Sequence, residues 1–212
     1  MQNTSKAYLP KQELVNSLIH GFGILFGLSC LPILITLAVK NNNVPGIVGA
    51  CIYSFCFLML FTFSTLYHGF QEKTVKHILK VFDHISIYFL IAGTYTPFLL
   101  IYMNNLFGIT LLWILWGLTF VGIFFKTFFT GKFEIASTII YLIMGWIMVV
   151  GGDTFFRGLP VPVMVFVTIG GILYSIGVIF YMWDKYTYNH AVWHSFVLTA
   201  AICHYVAVLL AM

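Results

Sequence analysis

Long apolar stretches alternate with short polar segments along the whole chain. Seven of these stretches have roughly bilayer length, each about 17 to 26 residues. They lie near residues 17–39, 45–70, 84–103, 107–125, 135–151, 160–183 and 191–212. Backbone in hydrocarbon must satisfy its own hydrogen bonds, so long unbroken runs favour helices over the short alternating strands of an outer-membrane barrel. The pattern predicts an all-α, polytopic membrane protein: a seven-transmembrane-helix bundle forming a single domain over residues 1–212.

Composition excludes a soluble domain. Apolar residues make up 61% of the chain and charged residues only 8%, too little polar surface to cover a soluble fold. The first apolar run is too long for a signal peptide and is expected to remain as a membrane helix. Four cysteines lie inside apolar segments without C-x-x-C spacing, so they are interpreted as small buried hydrophobes and not as a disulfide framework. They are Cys30, Cys51, Cys56 and Cys203.

Positive charge is distributed unevenly between the two sides of the predicted bundle. Eight of the ten basic residues fall on one side: Lys6, Lys11, Lys73, Lys76, Lys80, Lys126, Lys132 and Lys185. The other side has only Lys40 and Arg157. Because lysine and arginine accumulate in cytoplasmic loops, the count predicts a cytoplasmic amino terminus and an extracellular carboxy terminus in a multi-pass cell-membrane protein. A lipid bilayer is the expected surrounding, and no nucleic-acid partner is expected.

The last apolar segment opens with His190 and His194, four residues apart. Residues at this spacing lie on one face of a helix, one turn apart, where two imidazoles can reach a single metal ion. A polar pair at the edge of a membrane segment costs free energy unless it faces the protein interior and finds partners. The pair therefore indicates a functional site for which other helices supply further groups.

Other polar residues fall in the same predicted layer. Ser64 and His68 end the second apolar segment on one helical face, and Asp83 opens the third. Each has an ordinary alternative: a hydroxyl bonded to its own helix for Ser64, an interfacial position for His68, and an N-cap for Asp83. Under the predicted topology, all three lie at the cytoplasmic end together with the histidine pair.

A polar face also begins the first helix. Glu13, Asn16 and His20 follow one another at i, i+3 and i+7. Interfacial anchoring and interhelical hydrogen bonding are the favoured interpretation of this face. Support of a nearby metal site is the alternative.

Together these residues predict a metal site formed by His68, His190 and His194. Three imidazoles suit Zn²⁺ and leave a fourth position for water, as in a catalytic zinc, although iron and copper also accept such ligands. Asp83 would take a proton from the activated water, and Ser64 would polarise a carbonyl or orient a ligand. This chemistry favours amide or ester hydrolysis. A structural zinc that clamps the same helices is the alternative.

The remaining polar residues predict ordinary roles. The basic connection that contains His77 is interpreted as a solvated face near lipid headgroups. His204 lies about 15 Å deeper than His194 along a helix, too far to share its metal, and is expected to be buried and hydrogen-bonded. Asp153 and Arg157 are expected to form a surface pair, and the fourth and fifth helices are expected to hold no buried charge.

Several motifs in chain order resemble those of the hemolysin III family, the bacterial branch of the progestin and adipoQ receptor superfamily. They are Glu13-x-x-Asn16-x-x-x-His20-Gly21, Ser64-x-x-x-His68, Asp83-His84 followed by Ile91-Ala92-Gly93-Thr94-Tyr95-Thr96-Pro97, and His190-x-x-x-His194-x-Phe196-Val197. The resemblance spans nearly the whole chain. It implies seven helices with an intracellular amino terminus and zinc on the three predicted histidine ligands. It also implies that the predicted base and hydroxyl lie near the zinc-bound water.

The resemblance extends the functional hypothesis in two directions. Related receptors and the similar alkaline ceramidases imply hydrolysis of a lipid amide, so a membrane lipid is the expected substrate of a zinc-dependent hydrolase in lipid homeostasis. The family name records pore-forming or cytolytic behaviour, which is a different class of function and the main competitor. No polar stripe that would line an aqueous pore is visible in the predicted helices. Because the chain has almost no cytoplasmic domain, the hormone-receptor function of animal relatives is not expected.

Overall fold

A computed structural model describes residues 10–183 and 185–212 of the protein. Within these ranges the chain is helical and contains no strand. The helices are α1 Pro10–Lys40, α2 Val44–Gly69, α3 Lys73–Tyr102, α4 Leu106–Phe129, α5 Glu134–Gly145, α6 Ile147–Gly158, α7 Val161–Met182 and α8 Asn189–Leu209. Seven spans are long and apolar enough to cross a membrane, the fifth formed by α5 and α6 together. The predicted all-α, seven-span membrane bundle is confirmed.

Helix α3 is the centre of the bundle and the most buried of the spans. It packs against α2, α4, α5 and α8, while α1 packs on both α2 and α8 and so brings the two ends of the chain together. Small residues bring α2 and α3 into close contact: a Cβ atom on Gly49 would lie 2.5 Å from Pro97 Cα, and one on Gly93 would lie 2.7 Å from Cys56 Cβ. This close packing joins the first half of α2 to the second half of α3, at the end of the two helices away from His68 and Asp83.

Two helices begin earlier than hydropathy predicts. Helix α1 starts at Pro10 and α3 at Lys73, because polar turns continue each helix beyond its apolar stretch. Asp83 therefore lies inside α3 and does not cap it, which corrects the predicted N-cap. The cap is Glu72, whose carboxylate accepts hydrogen bonds from the backbone N–H groups of Thr74 and Val75. His77 lies on α3 with an exposed side chain.

The fifth span is interrupted where the sequence predicted its end. The helix breaks at Trp146, and Gly152 adopts a φ of +50° that only glycine takes readily. Residues 152–158, which lie between the predicted fifth and sixth apolar stretches and were expected to form a loop, are therefore part of α6. The predicted surface pair is present, since Arg157 Nε lies 2.7 Å from Asp153 Oδ2 and both side chains are exposed.

A buried ion pair joins α4 to α5, contrary to the expectation that these helices hold no buried charge. Lys126 is fully buried, and its Nζ donates to Glu134 Oε2 at 3.0 Å. The backbone N–H of Gly131 donates to the other carboxylate oxygen of Glu134 at 3.1 Å. Lys126 was placed in a loop by hydropathy, yet it belongs to α4. An ammonium in this position requires a carboxylate partner, because an unpaired charge is costly in an apolar interior.

Most helices present apolar side chains to the outside of the bundle, as a lipid-facing surface requires. The cysteines depart from their predicted burial. Only Cys56 is buried, Cys51 is exposed on the apolar surface, and Cys30 and Cys203 are partly buried. All four are free thiols, so the expected absence of a disulfide framework agrees with the structure.

Candidate metal centre

The polar residues singled out by the sequence converge at one end of the bundle, called here the site end. The first turns of α1, α3 and α8 and the last turn of α2 meet there. They bring together Glu13, Asn16, His20, Ser64, His68, Asp83, His190 and His194. Seven of the described lysines lie at the same end, as the charge count assumed. The assignment of this end to the cytoplasm stays a prediction.

Three histidines form a compact cluster. Ligand atoms of His68, His190 and His194 all lie within 4.8 Å of one another. His68 and His194 are almost completely buried, and their Nε2 atoms are 2.9 Å apart. The nitrogen ligands of a tetrahedral Zn²⁺ lie about 3.3 Å apart, so small side-chain shifts suffice for a shared ion. The cluster is able to hold a metal.

Glu13 fixes the orientation of the first of these ligands. Its Oε2 lies 2.5 Å from His68 Nδ1, and its Oε1 accepts a charge-assisted hydrogen bond from Lys76 Nζ at 2.8 Å. A carboxylate only accepts, so the proton of this contact lies on Nδ1 of His68. The Nε2 lone pair is then directed at the cluster. A carboxylate–histidine pair of this kind commonly orients a metal ligand and raises its basicity.

His20 has the corresponding position beside His194. Its Nε2 lies 2.9 Å from His194 Nδ1, and its ring packs edge-on against that of His194. Two protonation patterns satisfy these contacts. In one, His20 donates to His194, which donates onward to His68. In the other, His194 donates to His20, and the two Nε2 lone pairs of His68 and His194 face each other at 2.9 Å. Two lone pairs at this distance repel each other unless a cation lies between the two nitrogen atoms. In the second pattern the histidines therefore offer the nitrogen ligands that a metal ion requires.

Asp83 and Ser64 lie beside the cluster. Both line the same cavity as His190 and His194. Ser64 is fully buried and lines the cavity next to Asp83. Its Oγ makes no hydrogen bond to the described residues. The ordinary alternative for this hydroxyl, a bond to its own helix, is therefore not observed. The catalytic roles of the two residues stay predictions.

His190 and His194 of the cluster line a cavity of about 480 Å³ that extends into the bundle. Along α8 the cavity runs from His194 to His204, about 15 Å at 1.5 Å per residue. Its inner part lies between α3, α5, α7 and α8 and is mainly apolar. Lys80, Gly131 and Glu134 line its mouth at the site end. The cavity has the size of a small-molecule site and suits a hydrocarbon chain.

The interpretation favoured for the polar face of α1 is confirmed in one part. Glu13, Asn16 and His20 make the expected hydrogen bonds to other helices. They are 3%, 1% and 2% exposed, so the expected interfacial anchoring is wrong. The i, i+3, i+7 spacing did reveal their common face. Lys76 was counted only as a topology signal, and its contact with Glu13 depends on the packing of α1 and α3 on α2.

Two histidines lie outside the cluster. His204 is partly buried, and its Nε2 lies 3.2 Å from the carbonyl oxygen of Val167. Its predicted hydrogen bond is confirmed and it lies outside the three-histidine cluster, whereas its burial is less than expected because it faces the cavity. His84 is buried on α3 with Nδ1 3.8 Å from Glu134 Oε1, and it belongs to the charged group at the cavity mouth.

A Glu13→Gln substitution is expected to weaken zinc affinity by about 10- to 100-fold, the usual effect of removing a group that supports a metal ligand. Glutamine keeps an acceptor for His68 but loses the charge and the ion pair with Lys76. The measurement is competition with a colorimetric zinc chelator in detergent. Glu72→Gln is the matched control, since it removes one carboxylate from the exposed cap of α3. Equal affinity of the wild type and Glu13→Gln would contradict the positioning role.

Comparison with known proteins identifies relatives over nearly the whole chain. The profile of the family described as "Haemolysin-III related" matches residues 8–205. "Hemolysin-3 homolog" of Bacillus subtilis (strain 168) is 42% identical over 199 residues, which cover 94% of this chain and 93% of that protein. "Hemolysin-3" of Bacillus cereus is 41% identical, with coverage of 94% and 91%.

A human relative is more distant. "Monocyte to macrophage differentiation factor" of Homo sapiens is 31% identical over 169 residues, covering 76% of this chain and 69% of that protein. No solved structure matches the chain significantly. The similarity is therefore established by sequence.

Proposed function

The chain belongs to the haemolysin-III-related family, and from this membership and its histidine cluster we propose that it is a zinc-dependent hydrolase of a membrane lipid amide or ester. The observation that supports this most is a cluster of three imidazoles, two of which, His190 and His194, line a mainly apolar cavity inside a membrane bundle. A metal ion held at the wall of the cavity would be within reach of a lipid bound in the cavity. A metal that serves only to clamp helices needs no such cavity.

Zinc is the metal that this donor set favours, since three neutral imidazoles leave a tetrahedral ion one position for chemistry. His68, His190 and His194 would hold it. When bound, zinc supplies Lewis-acid chemistry that activates water near neutral pH.

The remaining groups have complementary roles in the proposed reaction. The carboxylate of Asp83 accepts the proton of the attacking water and returns it to the leaving group. The hydroxyl of Ser64, which has no partner among the described residues, donates to the carbonyl oxygen of the scissile bond. Glu13 and His20 hold two of the ligands in the tautomer that directs Nε2 at the ion. Hydrocarbon of the substrate occupies the inner cavity, where water is excluded.

The proposal is tested by metal removal and restoration. Purified protein is reconstituted into vesicles that contain a ceramide and a phospholipid, and released fatty acid is measured by mass spectrometry. Chelation is expected to abolish release, and one equivalent of zinc is expected to restore it. Circular dichroism of the chelated protein verifies that the fold persists. Release that survives complete chelation would overturn a catalytic metal, and zinc binding without any release would favour a structural ion.

Two relatives carry the name hemolysin-3, so a membrane-permeabilising activity is measured in the same vesicles. Entrapped dye is expected to be retained while fatty acid release proceeds. Dye loss from well-incorporated protein without hydrolysis would replace the enzyme hypothesis by the pore hypothesis.

A further inference from the structure

The mouth of the cavity holds a cation that the proposed chemistry does not use. Lys80 lies on α3 three residues before Asp83, so the two side chains lie about one turn apart on one face of the helix. The side chain of Lys80 is 22% exposed and lines the cavity. Its ammonium makes no hydrogen bond within the described part of the chain. The closest carboxylate oxygen there, Glu134 Oε1, is 4.0 Å away.

Glu134 is a distant ion-pair partner of Lys80 and accepts its hydrogen bonds from other groups. Lys126 donates to Oε2 at 3.0 Å and the Gly131 N–H donates to Oε1 at 3.1 Å. Lys126 is completely buried and depends on this carboxylate for its charge balance. Lys126 is therefore the main ion-pair partner of Glu134. His84 Nδ1, at 3.8 Å from Glu134 Oε1, is also too far for a strong hydrogen bond. A cation with unused donors is left facing the mouth.

The position of this cation suggests what it binds. A lipid whose scissile bond lies at the histidine cluster and whose chain follows α8 towards His204 has its headgroup at Lys80. We propose that Lys80 forms a headgroup site for an anionic phospholipid, which it recognises by a charge-assisted hydrogen bond to a phosphate oxygen. The site is continuous with the apolar cavity, which favours a phosphate carried by a lipid over a free phosphate ion. The inference rests on the proposed function for the direction of the bound lipid.

Binding can be measured without turnover, because Trp146 and Trp193 line the cavity. A background with Trp113→Phe, Trp116→Phe and Trp183→Phe leaves these two as fluorescent probes. Purified full-length protein in neutral detergent is titrated with phosphatidylglycerol or phosphatidylcholine that carries brominated acyl chains, and quenching reports the affinity. Lys80→Gln is compared with Lys73→Gln, which removes one exposed lysine from the first turn of the same helix. Inorganic phosphate is added as a competitor.

The wild type and Lys73→Gln are expected to bind phosphatidylglycerol about tenfold more tightly than phosphatidylcholine, consistent with one charge-assisted hydrogen bond. Lys80→Gln should abolish that preference while leaving phosphatidylcholine binding unchanged. A preference that persists in Lys80→Gln overturns the site. If Lys73→Gln and Lys80→Gln lose the preference for phosphatidylglycerol equally, the preference is due to general surface charge and the site is overturned. Complete competition by inorganic phosphate overturns the assignment to a lipid. A protein that hydrolyses neutral lipids without this preference would contradict the headgroup site alone, whereas absence of hydrolysis in every vesicle would contradict the proposed function.

Discussion

Replacing His194 by alanine should abolish metal binding, from about one zinc per chain in the wild type to less than about a tenth in the variant, because two imidazoles rarely retain a tetrahedral ion. His194 lies between two other imidazoles: its Nε2 is 2.9 Å from His68 and its Nδ1 is 2.9 Å from His20. Its removal takes away a ligand and the contact that orders His20. The measurement is the zinc content per chain of detergent-purified wild type and His194→Ala, determined by plasma mass spectrometry.

His77→Ala is the control for this experiment, since it removes one exposed histidine from α3 and leaves the cluster intact. It should retain the metal of the wild type. Zinc retained by folded His194→Ala at the wild-type level would show that the ion is bound elsewhere. Wild-type protein that contains no metal after handling without chelators would reduce the cluster to a hydrogen-bonded chain of histidines.

An Asp83→Asn variant is expected to keep its zinc and lose hydrolysis, with kcat lower by about 10²- to 10⁴-fold, the usual contribution of a general base. Asparagine has nearly the shape of aspartate, so the cavity wall should persist. It is unable to accept a proton from water. The measurement is the rate of fatty acid release at saturating lipid, with metal content determined on the same preparation.

Asp153→Asn is the matched control, because it removes an exposed carboxylate on α6 at the opposite end of the bundle. Turnover of this control should equal that of the wild type. Unchanged turnover in Asp83→Asn would exclude Asp83 as the base. A parallel loss of zinc would assign it to metal binding instead.

Hydropathy predicted the number and type of the helices but not where they begin. An apolar stretch reports the part of a helix that crosses hydrocarbon, whereas α1 and α3 continue through polar turns to Pro10 and Lys73. Those turns are stabilised by contacts between helices. The carboxylate of Glu13 lies against His68 and Lys76, and neither partner is near it in sequence. For the same reason an N-cap was the ordinary alternative for Asp83, although Asp83 lies inside α3.

The ion pair of Lys126 and Glu134 near the cavity mouth illustrates a second limit of prediction from sequence. Lys126 and Glu134 are eight residues apart on two different helices, a spacing with no meaning in any single helix. Their contact arises because α4 and α5 meet beyond the turn at Gly131, where the φ of +81° reverses the chain. Sequence counted Lys126 only as a topology signal. Its burial, and the position of the Lys80 ammonium 4.0 Å from the same carboxylate, depend on the folded arrangement.

By itself, the sequence determined that this protein is a seven-helix membrane bundle of the haemolysin-III-related family, with candidate metal ligands at one end. Those properties follow from the length and composition of apolar segments and from the i, i+4 spacing that aligns side chains on one helix. Only the tertiary structure decided that His68, His190 and His194 share one cluster, that α1 supports it, and that a cavity adjoins it. These features join side chains from different helices, and the depth and rotation of each helix in the bundle are set by packing between helices and not by hydropathy.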